Sequence, residues 1–84
     1  MNEIPLTLRN TLRSLRVKFN YTQEEAAVLL GVSTPTLRAW ESDSGKMPFE
    51  KIIVIEKIYK TPKDYIFFGK ESTFSELLRN QAAI

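Results

Sequence analysis

The segment over residues 22–41, which reads TQEEAAVLLGVSTPTLRAWE, constrains the fold of this chain more than any other. Ala27 lies four residues before Gly31, and Leu37 lies six residues after it. A small side chain lets two helices approach closely, a glycine permits the positive φ at which a helix can end, and a branched apolar residue anchors the next helix. This spacing predicts two short helices that meet at a tight turn, the second with polar side chains facing outward.

The composition limits the kind of protein this can be. The chain has 84 residues, of which 43% are hydrophobic, enough for one small domain with a modest core. It contains no cysteine and no histidine, which excludes disulfide bonds and the usual zinc ligand sets. No nucleophile–base pair and no glycine-rich phosphate loop are visible in the sequence. We therefore expect no metal, no cofactor and no enzymatic activity.

Charge and hydropathy point to a cytoplasmic protein. The net charge of +2 permits binding to nucleic acid without requiring it. The first residues, MNEIPLTL, have no basic region followed by an apolar run, so they do not resemble a signal peptide. No stretch approaches the roughly 20 apolar residues that cross a bilayer. We expect no contact with a membrane.

Two helices are predicted in the first third of the chain. Large apolar residues from Leu8 onward repeat at helical spacing, which predicts an amphipathic helix over residues 6–19. Thr22 and Glu25 then match a capping box, the reciprocal pairing of side chains and backbone at a helix N-terminus. The second helix should begin there and stop at Gly31.

A third and a fourth helix follow. Ser33 is a suitable N-cap, and Pro35 is tolerated in the first turn because no backbone donor is needed there. This third helix should end near Glu41, before a run of loop-forming residues. A fourth helix is predicted over residues 48–60, opened by a proline and stopped by the next one.

The remaining sequence predicts two shorter helices. Thr61 and Asp64 match a second capping box for a short fifth helix that Gly69 closes, and a last helix should run from Thr73 to about Asn80. No strand-like alternation of useful length is present. The prediction is an all-α domain of five helices over residues 1–69, with a short C-terminal helical tail over residues 70–84.

The fourth helix and the tail carry more apolar residues than one buried stripe requires. If Phe49, Ile52, Ile55 and Tyr59 face the core, a second apolar surface remains. We expect that surface to join two copies in a homodimer, with interface residues Val54, Ile58, Phe74, Leu77 and Leu78. The alternative is that the tail folds over the fourth helix and completes a monomer.

Residues 12–42, which read LRSLRVKFNYTQEEAAVLLGVSTPTLRAWES, resemble the lambda-repressor-like, or Xre/Cro, helix-turn-helix family. The segment DYIFFG at residues 64–69 is similar to the end of the domain in phage and mobile-element members. The resemblance covers about residues 6–69 and implies a DNA-binding domain whose recognition helix, residues 33–41, enters the major groove. The sequence departs from the family pattern at Val28 and Leu29, where polar residues are usual.

The resemblance also implies which side chains contact DNA. The exposed positions of the recognition helix would contact bases: Thr34, Pro35, Thr36, Arg38 and Ala39. The planar fork of Arg38 suits guanine O6 and N7, although a phosphate contact or plain solvation would also explain it. The phosphate contacts would come from Gln23, Ser33, Lys46 and Arg16. Alternatively, Gln23 is only a surface residue beside the capping box.

Arg16 and Glu41 match a pair that, in related repressors, links the first helix to the third. Such a pair would fix the recognition helix against the rest of the domain. If both side chains were exposed, their interaction would contribute only about 0–1 kcal/mol. The sequence leaves both interpretations open.

The leading functional hypothesis is a sequence-specific transcriptional regulator, a small repressor or Cro-like protein bound to an inverted-repeat operator. Because the sequence ends soon after the helix-turn-helix domain, we expect no small-molecule effector domain. Few hydrogen-bonding groups lie on the face formed by TPTLRA, which keeps a second class open. That alternative is a protein-interaction module, such as an antitoxin or a partner-binding helix-turn-helix protein.

Overall fold

The computed structural model describes residues 4–82, which contain five α-helices. The prediction of an all-α fold is confirmed, and the described part of the chain has no β-strand. Single turns of 3-10 helix lie before the first α-helix, at Leu6–Leu8, and between later α-helices, at Ser44–Lys46 and Lys63–Tyr65. The α-helices, in chain order, are α1 (Leu12–Lys18), α2 (Gln23–Leu30), α3 (Thr34–Ser42), α4 (Phe49–Tyr59) and α5 (Glu71–Ala82).

The helix predicted over residues 6–19 is interrupted, because Asn10 pairs with a distant segment. Asn10 N donates to Tyr65 O at 2.7 Å, and Phe67 N donates to Asn10 O at 2.8 Å. α1 therefore starts afresh after Thr11, whose hydroxyl accepts from Ser14 N at 3.1 Å. Leu8, expected to start the apolar stripe, is 58% exposed.

The central pair of helices forms as the sequence predicts. Thr22 Oγ1 accepts from Glu25 N at 3.1 Å, and Glu25 Oε1 accepts from Thr22 N at 2.8 Å, which completes the capping box of α2. Gly31 ends that helix with φ +72°, a backbone conformation that residues with a side chain rarely adopt. Ser33 then caps α3 by accepting from Thr36 N at 3.2 Å.

The core lies where the first four helices meet. Its fully buried side chains include Leu12, Leu15, Leu30, Leu37 and Ile55. Ala26 and Ala27 are also buried, which allows α2 to pack closely on α3 and α4. Packing in the core thus fixes the orientation of α3 relative to the other helices.

The fifth helix predicted from Thr61 is only the single turn Lys63–Tyr65, whose first N–H, that of Lys63, donates to Glu56 Oε2 at 2.7 Å. The backbone that follows is extended instead. Asn10 binds one part of it, while Ser44 Oγ donates to Phe67 O at 3.1 Å and accepts from Gly69 N at 3.1 Å. These bonds satisfy backbone groups that a helix would have satisfied internally.

The tail helix α5 is longer than predicted and begins at Glu71. Phe74 is buried against Phe67, with ring centroids 5.0 Å apart. α5 packs on α3, and Leu77 lines a groove with Ile4 and Leu6 of the N-terminal segment. The structure thus seats the tail beside the N-terminal segment.

The faces of α4 differ in part from the prediction. Ile55 and Tyr59 are buried, but Phe49 is 69% exposed, so its expected place in the core is wrong. Its position in the first turn of α4, after the loop, carries it clear of the core. Val54 and Ile58 are half-buried and pack against the core of their own chain. Residues 4–82 contain no candidate membrane-spanning helix.

Candidate nucleic-acid interface

The third helix is divided into an inner and an outer face. Leu37 is fully buried, and Trp40 is 9% exposed. The five predicted base-contacting residues lie away from these two. Pro35, Arg38 and Ala39 are exposed, while Thr34 and Thr36 are half-buried. The outer face therefore presents one guanidinium, two hydroxyls and two apolar surfaces to solvent.

Ser33 and Thr36 form a local hydrogen-bonded pair at the start of this face. Ser33 Oγ accepts from Thr36 N and donates to Thr36 Oγ1 at 2.9 Å. Thr36 keeps its hydroxyl hydrogen for an external acceptor, because it acts only as acceptor in this pair. The hydroxyl of Ser33 is used mainly for capping, so a phosphate would meet its backbone N–H more readily than its side chain.

Arg16 and Glu41 join α1 to α3 in a largely buried ion pair. Arg16 Nε donates to Glu41 Oε2 at 2.6 Å, and the two side chains are 14% and 5% exposed. Arg16 Nη1 also donates to Tyr21 O at 3.0 Å. The hydrogen bond to Glu41, more than any other cause, raises the pKa of Arg16 above its ordinary value. The positive charge of Arg16 is thus permanently present at the base of α3.

Gln23, the first residue of α2, extends this pair into a chain of four side chains. Gln23 Nε2 donates to Glu41 Oε1 at 3.3 Å. Arg38 Nε in turn donates to Gln23 Oε1 at 3.2 Å. The order of the contacts is Arg16, Glu41, Gln23 and Arg38, and it connects three helices.

The sequence did not predict the contacts of Gln23 with Glu41 and Arg38. They span 18 and 15 residues along the chain, so no local pattern reports them. The only signal was the predicted helix-turn-helix itself, which brings the start of the second helix toward the third. The half-buried side chain of Gln23 is engaged within the protein rather than freely solvated.

Lys46 projects from the single turn that follows α3. That turn is anchored on both sides, since Asp43 Oδ1 accepts from Gly45 N at 3.0 Å and Ser44 is buried against the extended segment. Lys46 itself is exposed. A flexible cation on a fixed turn beside the recognition helix is suited to a phosphate group.

Metal ions find no comparable site in the described part of the chain. Residues 4–82 contain no cluster of acidic side chains that could hold a metal ion. The grooves are shallow, and one of them is lined by Val28 and Leu29 of α2 and by Tyr21, which precedes that helix.

Comparison with known proteins identifies the same helix-turn-helix in this sequence. Residues 12–66 match the helix-turn-helix family HTH_3. The uncharacterized HTH-type transcriptional regulator YobD of Bacillus subtilis (strain 168) is 31% identical over 55 residues. That alignment covers 66% of this chain and 49% of the relative, so the chain spans about half the length of that protein. The family match contains α1 to α4, whereas α5 lies beyond it. This chain belongs to the HTH_3 family of helix-turn-helix proteins.

Proposed function

We propose that this protein is a sequence-specific DNA-binding transcriptional regulator, a small repressor or Cro-like protein of the cytoplasm. α3 would lie in the major groove, with Thr34, Pro35, Thr36, Arg38 and Ala39 toward the base edges. The observation that carries the proposal is the division of α3. Leu37 and Trp40 are buried in the core, whereas the five residues listed above lie exposed or half-buried on the open side.

The surroundings of α3 support the same function. Gln23 at the start of α2 and Lys46 after α3 flank the outer face, where a major groove would bring phosphates. The N-terminal end of α2 adds backbone N–H groups that favour an anion. Arg16 is held by Glu41 and Tyr21, so it would reach a phosphate only with a spare donor.

The proposed assembly is a homodimer on an inverted repeat, with two recognition helices about 34 Å apart. Leu77 is 41% exposed and available to a partner, and Leu78, Val54 and Ile58 are half-buried. Phe74 is buried within its own chain, so it would hold α5 in place rather than touch a partner. The exposed Phe49 and Ile53 on α4 add to this proposed apolar interface.

The experiment that tests the function is selection from a randomised DNA pool at near-physiological salt, followed by sequencing. An enriched inverted repeat supports a dimeric regulator and gives the half-site spacing. Enrichment of a single half-site supports sequence reading but contradicts the dimer. No enrichment by a protein that circular dichroism shows to be folded contradicts the proposal.

A second candidate, a protein-interaction module such as an antitoxin, is favoured by one observation. Val28 and Leu29 are 79% and 46% exposed on α2, at positions where the family usually has polar residues. Exposed apolar neighbours of this kind are common at protein contacts. Substitution of both by glutamine separates the two functions, because DNA binding should persist in the double variant while binding of a protein partner should weaken.

A further inference from the structure

Glu41 and Arg38 lie three residues apart on α3, but Gln23 of α2 connects their side chains. We propose that Gln23 is a positioning residue, which holds Arg38 in the orientation that lets it read guanine. The expectations for Gln23 from the sequence were a phosphate contact or a surface position beside the capping box. This inference rests on the proposed DNA-binding function and adds a specificity-determining contact to it.

The chemistry of Glu41 fixes which way the amide of Gln23 faces. An ionised carboxylate can only accept hydrogen bonds, and the carboxylate of Glu41 is paired with the guanidinium of Arg16. Gln23 must therefore turn its nitrogen toward Glu41, at 3.3 Å. The opposite orientation would place the amide oxygen against the carboxylate and the amide nitrogen against the guanidinium. Both of those contacts are repulsive.

The amide oxygen of Gln23 is consequently directed at Arg38. Arg38 Nε donates to it at 3.2 Å, which uses one of the five N–H groups of the guanidinium. The two Nη atoms keep their four hydrogens for DNA. They form the edge that can engage guanine O6 and N7 together. An exposed arginine samples many rotamers, and ordering them on binding costs conformational entropy. A fixed acceptor at Nε restricts the rotamers in the free protein, so less entropy is lost when DNA binds.

Gln23 still has one amide hydrogen to donate. Its Nε2 carries two hydrogens, of which Glu41 takes one. The second can reach a phosphate without disturbing the contact with Arg38. Gln23 would thus link the phosphate contact to the base contact, so that binding to the DNA backbone would also position Arg38 against its guanine.

The first test concerns the free protein. Nuclear magnetic resonance measures the exchange of arginine Nε–H groups with solvent, and exposed Arg13 serves as the internal reference. We expect slower exchange for Arg38 than for Arg13, and equal exchange in Gln23→Met, which keeps the side-chain length but removes the amide. Thermal melting of the variant verifies that it is folded. Equal exchange of the two arginines in the unsubstituted protein overturns the proposal.

The second test uses DNA selection with four proteins: the unsubstituted chain, Gln23→Met, Arg38→Ala and the double variant. Gln23→Met should reduce the preference at the base pair read by Arg38 by about threefold to tenfold, part of what a bidentate arginine contributes. In the Arg38→Ala background, Gln23→Met should not alter base preference further.

The outcomes distinguish the positioning role from the function on which it rests. Equal weakening on every sequence by Gln23→Met, with the preference intact, overturns the positioning role and leaves Gln23 as a phosphate contact. Unchanged base preference in Arg38→Ala overturns the base-reading function itself. The exchange measurement on the free protein is independent of that second result.

Discussion

Lys51 Nζ on α4 donates to the carbonyl oxygen of Leu30, the last residue of α2, across 2.8 Å. The carbonyl groups at a helix C-terminus lack partners within the helix and carry its negative partial charge. A cation placed there donates a hydrogen bond to a carbonyl group without a partner and also offsets the negative partial charge. The contact therefore ties α4 to the turn that separates α2 from the recognition helix.

Substitution of this lysine should weaken the domain. We expect Lys51→Met to lower the free energy of unfolding by about 1 kcal/mol, because it removes the charged donor but keeps most of the apolar stem. Urea denaturation followed by circular dichroism measures the change. Lys57→Met, at an exposed position of the same helix, is the matched control and should stay within about 0.5 kcal/mol. Equal effects of the two substitutions would contradict the capping role.

The hydroxyl of Tyr59 makes the opposite kind of contribution. Tyr59 is 1% exposed and packs its ring against Phe19 and Tyr21. Within residues 4–82, its oxygen has no hydrogen-bond partner. A buried hydroxyl without a partner costs about 1–3 kcal/mol. We expect Tyr59→Phe to raise the free energy of unfolding by about 1 kcal/mol, while Tyr65→Phe at an exposed position leaves it unchanged. Chemical denaturation of the two variants measures both values.

The same burial makes stability depend on pH in alkaline solution. Desolvation, with a smaller contribution from the charge of Glu41, raises the pKa of Tyr59 from 10.0 to about 12. Above pH 10 the unfolded chain loses this proton while the folded chain retains it, so the unfolded state is favoured. The contribution is complete below pH 10 and is lost as pH rises toward 12.

Comparison with Tyr59→Phe isolates this group from the other titrating residues. The stability difference between the two proteins should be constant below pH 10. It should then widen in favour of the variant up to about pH 12. Denaturation curves at several pH values measure it, and parallel pH profiles for the two proteins would show that the phenol ionises equally in both states.

Removal of only one charge of the Arg16–Glu41 ion pair should lower the free energy of unfolding. Arg16→Met leaves the carboxylate of Glu41, 5% exposed, without its cation. We expect a loss of about 2–3 kcal/mol, between the values for exposed and for fully buried pairs. Addition of Glu41→Gln to that variant should recover at least half of the loss, since no buried charge remains. Chemical denaturation measures both steps, and no recovery in the double variant would contradict burial of the pair.

The sequence predicted the features of this fold that local patterns determine. The capping box of Thr22 and Glu25, the stop at Gly31 and the cap at Ser33 all depend on residues within a few positions of one another. Leu37, which its spacing from Gly31 predicts to anchor the third helix, is fully buried. These elements place the recognition helix, so the candidate site could be located from the sequence.

The features that the sequence did not predict depend on distant partners. Asn10 interrupts the first predicted helix because its bonding partners lie more than 50 residues away, at Tyr65 and Phe67. The fifth predicted helix is replaced by an extended segment for the same reason, with Ser44 as a second partner. The contacts of Gln23 likewise require the packed arrangement of α2 on α3. Local propensity is overridden in each case by bonds that only the folded chain provides.

Removal of Lys46 and removal of Arg38 should weaken DNA binding in different ways. The two effects should differ in their dependence on DNA sequence and on salt concentration. Lys46 is exposed on an anchored turn, so we expect Lys46→Ala to weaken binding on all DNA sequences equally and to flatten the salt slope by about one unit. Arg38→Ala should instead cost about 1–3 kcal/mol on the selected sequence and little on an unrelated one. Fluorescence anisotropy across a salt series, on both DNA molecules, measures the two effects. Lys57→Ala, at an exposed position on α4, controls for the loss of one positive charge and should change affinity little. Sequence-independent weakening by Arg38→Ala would reassign this arginine to a phosphate.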